Sequence, residues 1–192
     1  MNRSILIINS AEPDILEFST NIERILEKYE ALSITIHYRE APLFDFSKIS
    51  GVIISGSPQG NDIAETHQAH FQWLKDFQKP LIGICAGHHV LGCLFGAEYF
   101  YGKESESGLH SVEITSEDEI FRGLPTFLEV FQMHNDSISL PNNFIQLARS
   151  SACKNQAMRH VSKPLYTFQF HPEYLNHEIF SNFINIINNP KP

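Results

Sequence analysis

Short apolar runs recur along the first half of the chain, and each ends in a polar or glycine-containing segment. Ser4–Ile8 and Leu81–Ile84 are continuous runs, as expected for strands that are buried on both faces. Ser33–Tyr38 is alternating and β-branched, and Val52–Ser55 stops at a Gly-Ser-Pro turn. The pattern predicts four strands.

Segments with helical spacing of apolar residues separate these strands. One extends from Ile15 to Tyr29 and is preceded by Asp14, which is suited to cap a helix. Glu65–Gln78 predicts a second helix, and the apolar segment Val90–Phe95 predicts a third. Strands that alternate with helices indicate βαβ crossovers, and therefore a parallel sheet with helices on both faces.

The pattern changes between residues 98 and 161, where short β-like runs such as Val112–Thr115 and Phe127–Val130 are separated by turn signals. We predict that these runs add antiparallel strands to the edge of the sheet. Leu165–Phe170 predicts one more strand and Leu175–Ile187 a final helix. The expected fold is a single α/β domain over residues 1–192, with a mostly parallel central sheet flanked by helices and antiparallel edge additions.

Composition restricts the classes of function. The 192 residues are 42% hydrophobic and 19% charged, which is a globular balance, and the net charge is −8. A negative surface repels phosphate backbones, so we expect no nucleic-acid partner. No apolar run has the length of a membrane span, and the N-terminal residues lack signal-peptide features. These observations predict a cytoplasmic protein without a membrane partner.

The segment around Cys85 carries the clearest chemical signal. A buried strand meets a helix there, with Gly83 and Gly87 two positions before and after the cysteine. Small flanking residues allow the sharp turn that exposes a nucleophile at the carboxyl edge of a sheet. The helix N-terminus favours a thiolate, and the backbone amide of Ala86 can face an oxyanion.

The alternative is that Cys85 is a small buried hydrophobic residue, which is a common fate of a free cysteine. The three cysteines are an odd number and do not predict a disulfide framework. Cys93 lies in an apolar helical stretch and Cys153 in a polar loop, and neither is flanked by glycines. We therefore favour Cys85 as the nucleophile.

A thiolate that transfers acyl groups needs a base, and the base needs an orienting group. His171 follows the predicted strand Leu165–Phe170, where loops carry chemistry in such sheets. Pro172 stiffens the turn, and Glu173 can fold back toward the imidazole. His-Pro-Glu alone is a weak signal in a chain with ten histidines, but together with the Cys85 turn it is strong.

The segments Gly83-Ile84-Cys85-Ala86-Gly87 and Phe170-His171-Pro172-Glu173 resemble those of the class I glutamine amidotransferases, most of all the free-standing members related to the GMP synthase amidotransferase domain. Ser55-Gly56-Ser57-Pro58 is similar to the oxyanion turn of that family. Further segments match in order and spacing, at residues 108–112, 133–136 and 152–157. The resemblance covers nearly the whole chain and implies a flavodoxin-like fold.

The resemblance also implies a mechanism. Cys85 attacks the side-chain amide of glutamine, His171 transfers the proton to the leaving ammonia, and Glu173 orients the imidazole. The amides of Ser57 and Ala86 stabilise the oxyanion, and water then hydrolyses the γ-glutamyl thioester. No cofactor and no metal ion are expected. His88 and His89 do not suggest a metal pair, because adjacent helical residues do not face one ion.

Substrate contacts are expected from Gly56, His89 and His134, with Asp136 near the mouth of the site. His89 departs from the family, which usually has glutamine there to hold the substrate. An imidazole has a different reach and can become charged below neutral pH. Ser57 replaces the second glycine of the usual turn, which leaves a backbone donor in place.

Three functions remain open on the sequence alone. The first is a glutaminase that supplies ammonia to a separate synthetase, since a chain of this length has no room for a module that activates the acceptor. The second is a γ-glutamyl peptidase or related amide hydrolase, which His89 favours. The third is a non-catalytic regulatory module, against which the intact Cys85, His171 and Glu173 argue.

Overall fold

The computed structural model of the protein describes residues 4–59 and 66–190. The strands are, in chain order, β1 (Ser4–Asn9), β2 (Ser33–His37), β3 (Ile49–Ile54), β4 (Leu81–Ile84), β5 (Tyr99–Phe100), β6 (Glu106–Ile114), β7 (Phe127–His134), β8 (Ser137–Ile138), β9 (Phe144–Arg149), β10 (Ala157–His160) and β11 (Leu165–Phe168). The α-helices are α1 (Glu17–Lys28), α2 (Ala86–Leu94) and α3 (Glu178–Asn188), and 3-10 helices are formed by Ala41–Leu43, Phe46–Lys48, Gln68–Lys75 and Glu119–Phe121.

A nine-stranded sheet organises the molecule, in the order β2-β1-β3-β4-β11-β10-β9-β6-β7. The strands from β2 to β11 in that order are parallel, and each later neighbour pairs antiparallel. The predicted α/β fold with antiparallel additions at one edge is therefore confirmed. The carboxyl ends of β3, β4 and β11 lie side by side, and this edge is where α/β sheets place their ligands.

Alternating side chains of β1 show how the sheet is covered on both faces. Ile5 and Ile7 pack in one apolar cluster with residues of α1 and α3, whereas Leu6 and Ile8 pack in a second cluster with residues of α2 and the 3-10 helix 68–75. Successive side chains of a strand point to opposite faces of the sheet. A continuous apolar run therefore supplies apolar side chains to the cores on both faces.

Two predicted helices differ from the structure at their N-terminal ends. Asp14 does not cap α1, because Ile15 N–H donates to the Glu12 carbonyl in a turn that contains Pro13, and the helix begins at Glu17. The last helix begins at Glu178, later than predicted, because the residues after Pro172 form hydrogen-bonded turns first.

The predicted helix over residues 65–78 is a 3-10 helix over Gln68–Lys75 in the structure, and Glu65 lies outside the described residues. Its buried residues, Phe71 and Leu74, are three positions apart, which is the spacing that aligns side chains on one face of a 3-10 helix. Within residues 4–59 and 66–190, no helix has the length and apolarity that crossing a bilayer requires.

Candidate active site

Cys85 occupies the junction between β4 and α2, as the sequence predicts. Its backbone is in an unusual conformation, with φ 47° and ψ −96°. A non-glycine residue with positive φ stores strain, which persists where the surrounding structure holds it. Here Cys85 N–H donates to the Phe168 carbonyl of β11 at 2.8 Å, and His89 N–H donates to the Cys85 carbonyl at 3.0 Å.

Gly83 and Gly87 are required by close approach of the chain rather than by their own backbone angles. A Cβ at Gly83 would lie 2.7 Å from the Gly87 carbonyl oxygen, and a Cβ at Gly87 would lie 2.8 Å from the Ile54 carbonyl oxygen. Backbone atoms cannot move aside as flexible side chains can. The glycines therefore let α2 start directly against β3 and β4, which places Cys85 at the sheet edge.

His171 and Glu173 come together with Cys85 at this edge. His171 Nδ1 lies 2.8 Å from Glu173 Oε1, and both side chains are buried. The main-chain N–H of His171 donates to the Phe131 carbonyl at 2.9 Å. The imidazole of His171 stacks on the ring of Phe18 at a centroid distance of 5.3 Å. With Nδ1 bound to the carboxylate, Nε2 is the nitrogen available to the thiol of Cys85.

The charge of the His171 imidazole follows from its neighbours. Burial by itself would lower the pKa of His171, but the negative charges of Glu173 and of a Cys85 thiolate outweigh it and raise the pKa to about 10. The imidazole is therefore protonated at neutral pH. The buried imidazolium lies between the Glu173 carboxylate and the Cys85 sulfur, where it can give a proton to a leaving group.

A cavity of about 350 Å³ opens over Cys85. It is lined by Ser57, Pro58, Cys85, Ala86, His89, Glu106, Ser107, Met133, His134, Asn135 and Asp136. Ala86 is the first residue of α2, where the N–H groups have no partner within the helix. Of the residues expected to contact substrate, His89 and His134 lie in the cavity wall, whereas Gly56 packs against the ring of His171.

His89 is held by other residues of the site. Its Nε2 lies 2.7 Å from Gln169 Oε1, and its ring packs edge-on against Tyr99. Burial lowers the pKa of His89 to about 4, although the hydrogen bond to Gln169 opposes this shift. The ring is consequently neutral at physiological pH. Its neighbour His88 points elsewhere, with Nδ1 2.7 Å from Thr167 Oγ1, so the two rings do not share a ligand.

Glu106, His134 and Cys153 form a buried cluster whose potential ligand atoms lie within 4.8 Å of one another. The donor set could hold a metal ion, but hydrogen bonds already engage one oxygen of Glu106 and Nδ1 of His134. Gln132 and Gln156 donate to the Glu106 carboxylate, and His134 Nε2 lies 3.4 Å from it. His134 Nδ1–H donates to the Asp136 carbonyl at 3.0 Å. Glu106 and His134 are part of the hydrogen-bonded wall of the cavity.

The sequence did not single out Glu106, Tyr99 or Gln169 as residues of this site. Gln169 had a detectable signal, because it lies two positions before His171 and alternation along an extended segment places both on one side. Glu106 and Tyr99 come from distant segments of the chain, and nothing in their local sequence distinguishes them from other polar residues.

Comparison with known proteins identifies relatives of the chain. The family model described as glutamine amidotransferase class-I matches residues 14–185. The chain is 36% identical over 166 residues to a glutamine-hydrolyzing GMP synthase subunit of Pyrococcus abyssi, covering 83% of this chain and 88% of the relative. It is 39% identical over 144 residues to the protein of the same name from Thermococcus kodakarensis, covering 72% of this chain and 76% of the relative.

Solved structures show the same fold. A protein from Thermoplasma acidophilum, described as a candidate subunit of GMP synthase, superposes with a TM-score of 0.88 at 26% identity over 98% of this chain and 95% of its own. A glutamine amidotransferase from Thermotoga maritima has a TM-score of 0.76 at 23% identity, over 98% of this chain and 85% of its own. By its sequence and its fold, this chain belongs to the class I glutamine amidotransferase family.

Proposed function

We propose that the protein hydrolyses the side-chain amide of glutamine at Cys85 and supplies the ammonia to a separate synthetase subunit. The observation that carries the proposal is the arrangement of Cys85, held in a strained turn, beside an imidazole that Glu173 keeps protonated and under a cavity sized for a small molecule. This arrangement is suited to acyl transfer through a thioester.

In the proposed reaction, the Cys85 sulfur attacks the amide carbon of glutamine and forms a C–S bond. The amides of Ser57 and Ala86 are proposed to donate to the resulting oxyanion. His171 gives its proton to the nitrogen as the C–N bond breaks, and ammonia leaves. His171 then removes a proton from water, which attacks the thioester and releases glutamate with the thiolate restored. The chain needs no metal ion for these steps.

The partner is proposed from the relatives. The proteins from Pyrococcus abyssi and Thermococcus kodakarensis are each named as one subunit of a glutamine-hydrolyzing GMP synthase. We infer that this chain likewise works with a second subunit, whose acceptor receives the ammonia during GMP synthesis. A cytoplasmic location is part of the same proposal, since nucleotide synthesis draws on cytoplasmic glutamine.

A γ-glutamyl peptidase remains the second candidate, because His89 stands where the family usually has glutamine. The same triad would then cleave an amide bond to a larger leaving group. The cavity wall around His89 carries the negative charges of Glu106 and Asp136, which suit the positive ammonium group of either kind of γ-glutamyl substrate. The two candidates therefore differ in the leaving group that the site accepts.

The test is to incubate the purified protein with glutamine and with a panel of γ-glutamyl peptides, alone and with the synthetase subunit of a relative. We expect glutamate and ammonia in equal amounts from glutamine. Faster cleavage of any γ-glutamyl peptide than of glutamine, in the absence and in the presence of the synthetase, would favour the peptidase. Release of glutamate from none of these substrates would contradict both candidates.

Gly56→Ala tests whether His171 must approach the turn after β3. A Cβ at position 56 would lie 2.8 Å from Cε1 of His171, so the imidazole must move away from its place beside Cys85. Since a displacement of that kind can cost about a hundredfold in rate, we expect a comparable fall in kcat/KM for glutamine. The thermal unfolding midpoint serves as the control and should change little. An unaltered kcat/KM would show that the ring tolerates the shift.

A further inference from the structure

A continuous series of contacts connects the rim of the cavity to the sulfur of Cys85. The Tyr99 hydroxyl lies 3.0 Å from Asp136 Oδ2 and 3.4 Å from His89 Nδ1. His89 Nε2 lies 2.7 Å from Gln169 Oε1, and Gln169 Nε2 lies 3.9 Å from Cys85 Sγ. Gln169 is fully buried, so its amide has no access to water. The mechanism proposed above uses neither Gln169 nor His89.

The chemistry of the donors determines the direction of each contact. An amide oxygen only accepts hydrogen bonds, so His89 Nε2, which faces Gln169 Oε1, carries the single proton of the neutral ring. Burial and the neighbouring Asp136 raise the pKa of Tyr99, which therefore keeps its proton and donates it to the Asp136 carboxylate.

The Gln169 amide turns its NH2 group toward Cys85 Sγ and its oxygen toward His89 Nε2. If the amide were turned by half a rotation, its NH2 group would face Nε2 of His89 and its oxygen would face the sulfur. The contact with the sulfur would then set an acceptor against a thiolate, and the contact with His89 would require the ring to carry its proton on Nδ1 instead of Nε2. His89 thus favours the orientation in which the NH2 group faces Cys85.

We propose that Gln169 is a catalytic residue that donates an N–H to the Cys85 thiolate, and that His89 is the positioning residue that keeps the Gln169 amide turned toward the sulfur. In this chain His89 acts on the nucleophile through Gln169 instead of gripping the substrate. The proposal rests on the proposed function for its role in turnover, but its effect on the thiol can be measured without any substrate.

Several charged or titratable groups surround His89 and Cys85. His89 is close to His134, Asp136 and Tyr99, and Cys85 faces the imidazole of His171, which Glu173 holds. None of these groups is altered in the variants chosen below. A change in the reactivity of Cys85 would therefore report on the contact that the substitution removes.

The experiment measures the rate of Cys85 alkylation by iodoacetamide from mildly acidic to alkaline pH, with the labelled peptide identified by mass spectrometry. Gln169→Leu removes the donor, and Gln169→Met removes it while keeping the length of the side chain. His89→Phe keeps a ring against Tyr99 without the N–H, and His89→Gln keeps an N–H donor. His88→Gln is the matched control, because His88 is a buried histidine on the same helix that contacts Thr167 instead.

We expect both Gln169 variants to move the rising limb of the alkylation profile upward by about one pH unit, which is about a tenfold slower reaction at any pH on that limb. His89→Phe should move it in the same direction by about half a unit, because the amide is then free to turn. His89→Gln and His88→Gln should follow the wild type. With glutamine as substrate, His89→Phe should lower kcat and leave KM nearly unchanged.

Two results would overturn the inference. One is an unchanged alkylation profile in both Gln169 variants. The other is a shift in His88→Gln as large as the shift in His89→Phe, which would indicate a general effect of altering a buried histidine. If the profiles shift as expected while the wild-type protein releases no ammonia from glutamine, the proposed function fails and the role of Gln169 stands.

Discussion

Cys85→Ala is expected to lower the rate of glutamine hydrolysis by at least about a thousandfold, because the acyl-enzyme cannot form without the sulfur. Cys85 is the cysteine placed at the strained turn beside His171 and under the cavity. Only the amides of the oxyanion site and the binding contacts would remain, and these give weak catalysis without a nucleophile. The measurement is ammonia release at saturating glutamine.

The other cysteines provide matched controls for this substitution. Burial raises the pKa of Cys93 to about 11 and also raises the pKa of Cys153, so neither is a reactive thiolate at neutral pH. Cys93→Ala should keep near-wild-type turnover, and iodoacetamide should label Cys85 faster than the other two. Retention of most activity in Cys85→Ala would refute the assignment of the nucleophile.

His171→Ala is expected to cost nearly as much as loss of the sulfur, on the order of a thousandfold in kcat, because nucleophile and base act as one unit. The variant lacks the imidazolium, and with it the proton that the leaving ammonia needs. For the same reason, the double variant Cys85→Ala/His171→Ala should be little worse than either single variant. The kinetics of all three, measured with glutamine, test this non-additivity.

Glu173→Gln should be the milder change. It keeps a hydrogen-bonding group near His171 Nδ1 but removes the negative charge that raises the imidazole pKa to about 10. Activity should therefore fall less than in His171→Ala. His160→Gln is the control for a buried histidine away from the cavity, since His160 packs against Phe95 and Phe144. Equal losses in the His171 and His160 variants would point to a folding defect.

The parallel half of the fold was predictable because its signals are local. A continuous apolar run such as Ser4–Ile8 removes all of its apolar side chains from water only if both faces of the strand are buried. The structure places this strand in the interior of the sheet. The antiparallel half was predicted as short strands added to the edge of the sheet, but without their order. The order in which β10, β9, β6 and β7 pair depends on contacts between distant segments, which a local pattern does not contain.

The same difference separates the parts of the candidate site. The amino-acid sequence alone determined the strand-to-helix turn at Cys85 and the His-Pro-Glu segment, because both depend on glycine, proline and spacing within a few residues. Only the tertiary structure decided that Gly56 leaves room for His171, that Gln169 reaches the sulfur and that His89 is a buried, neutral donor. Those properties arise from burial and from distances between side chains far apart in the chain, which exist only once the sheet has assembled.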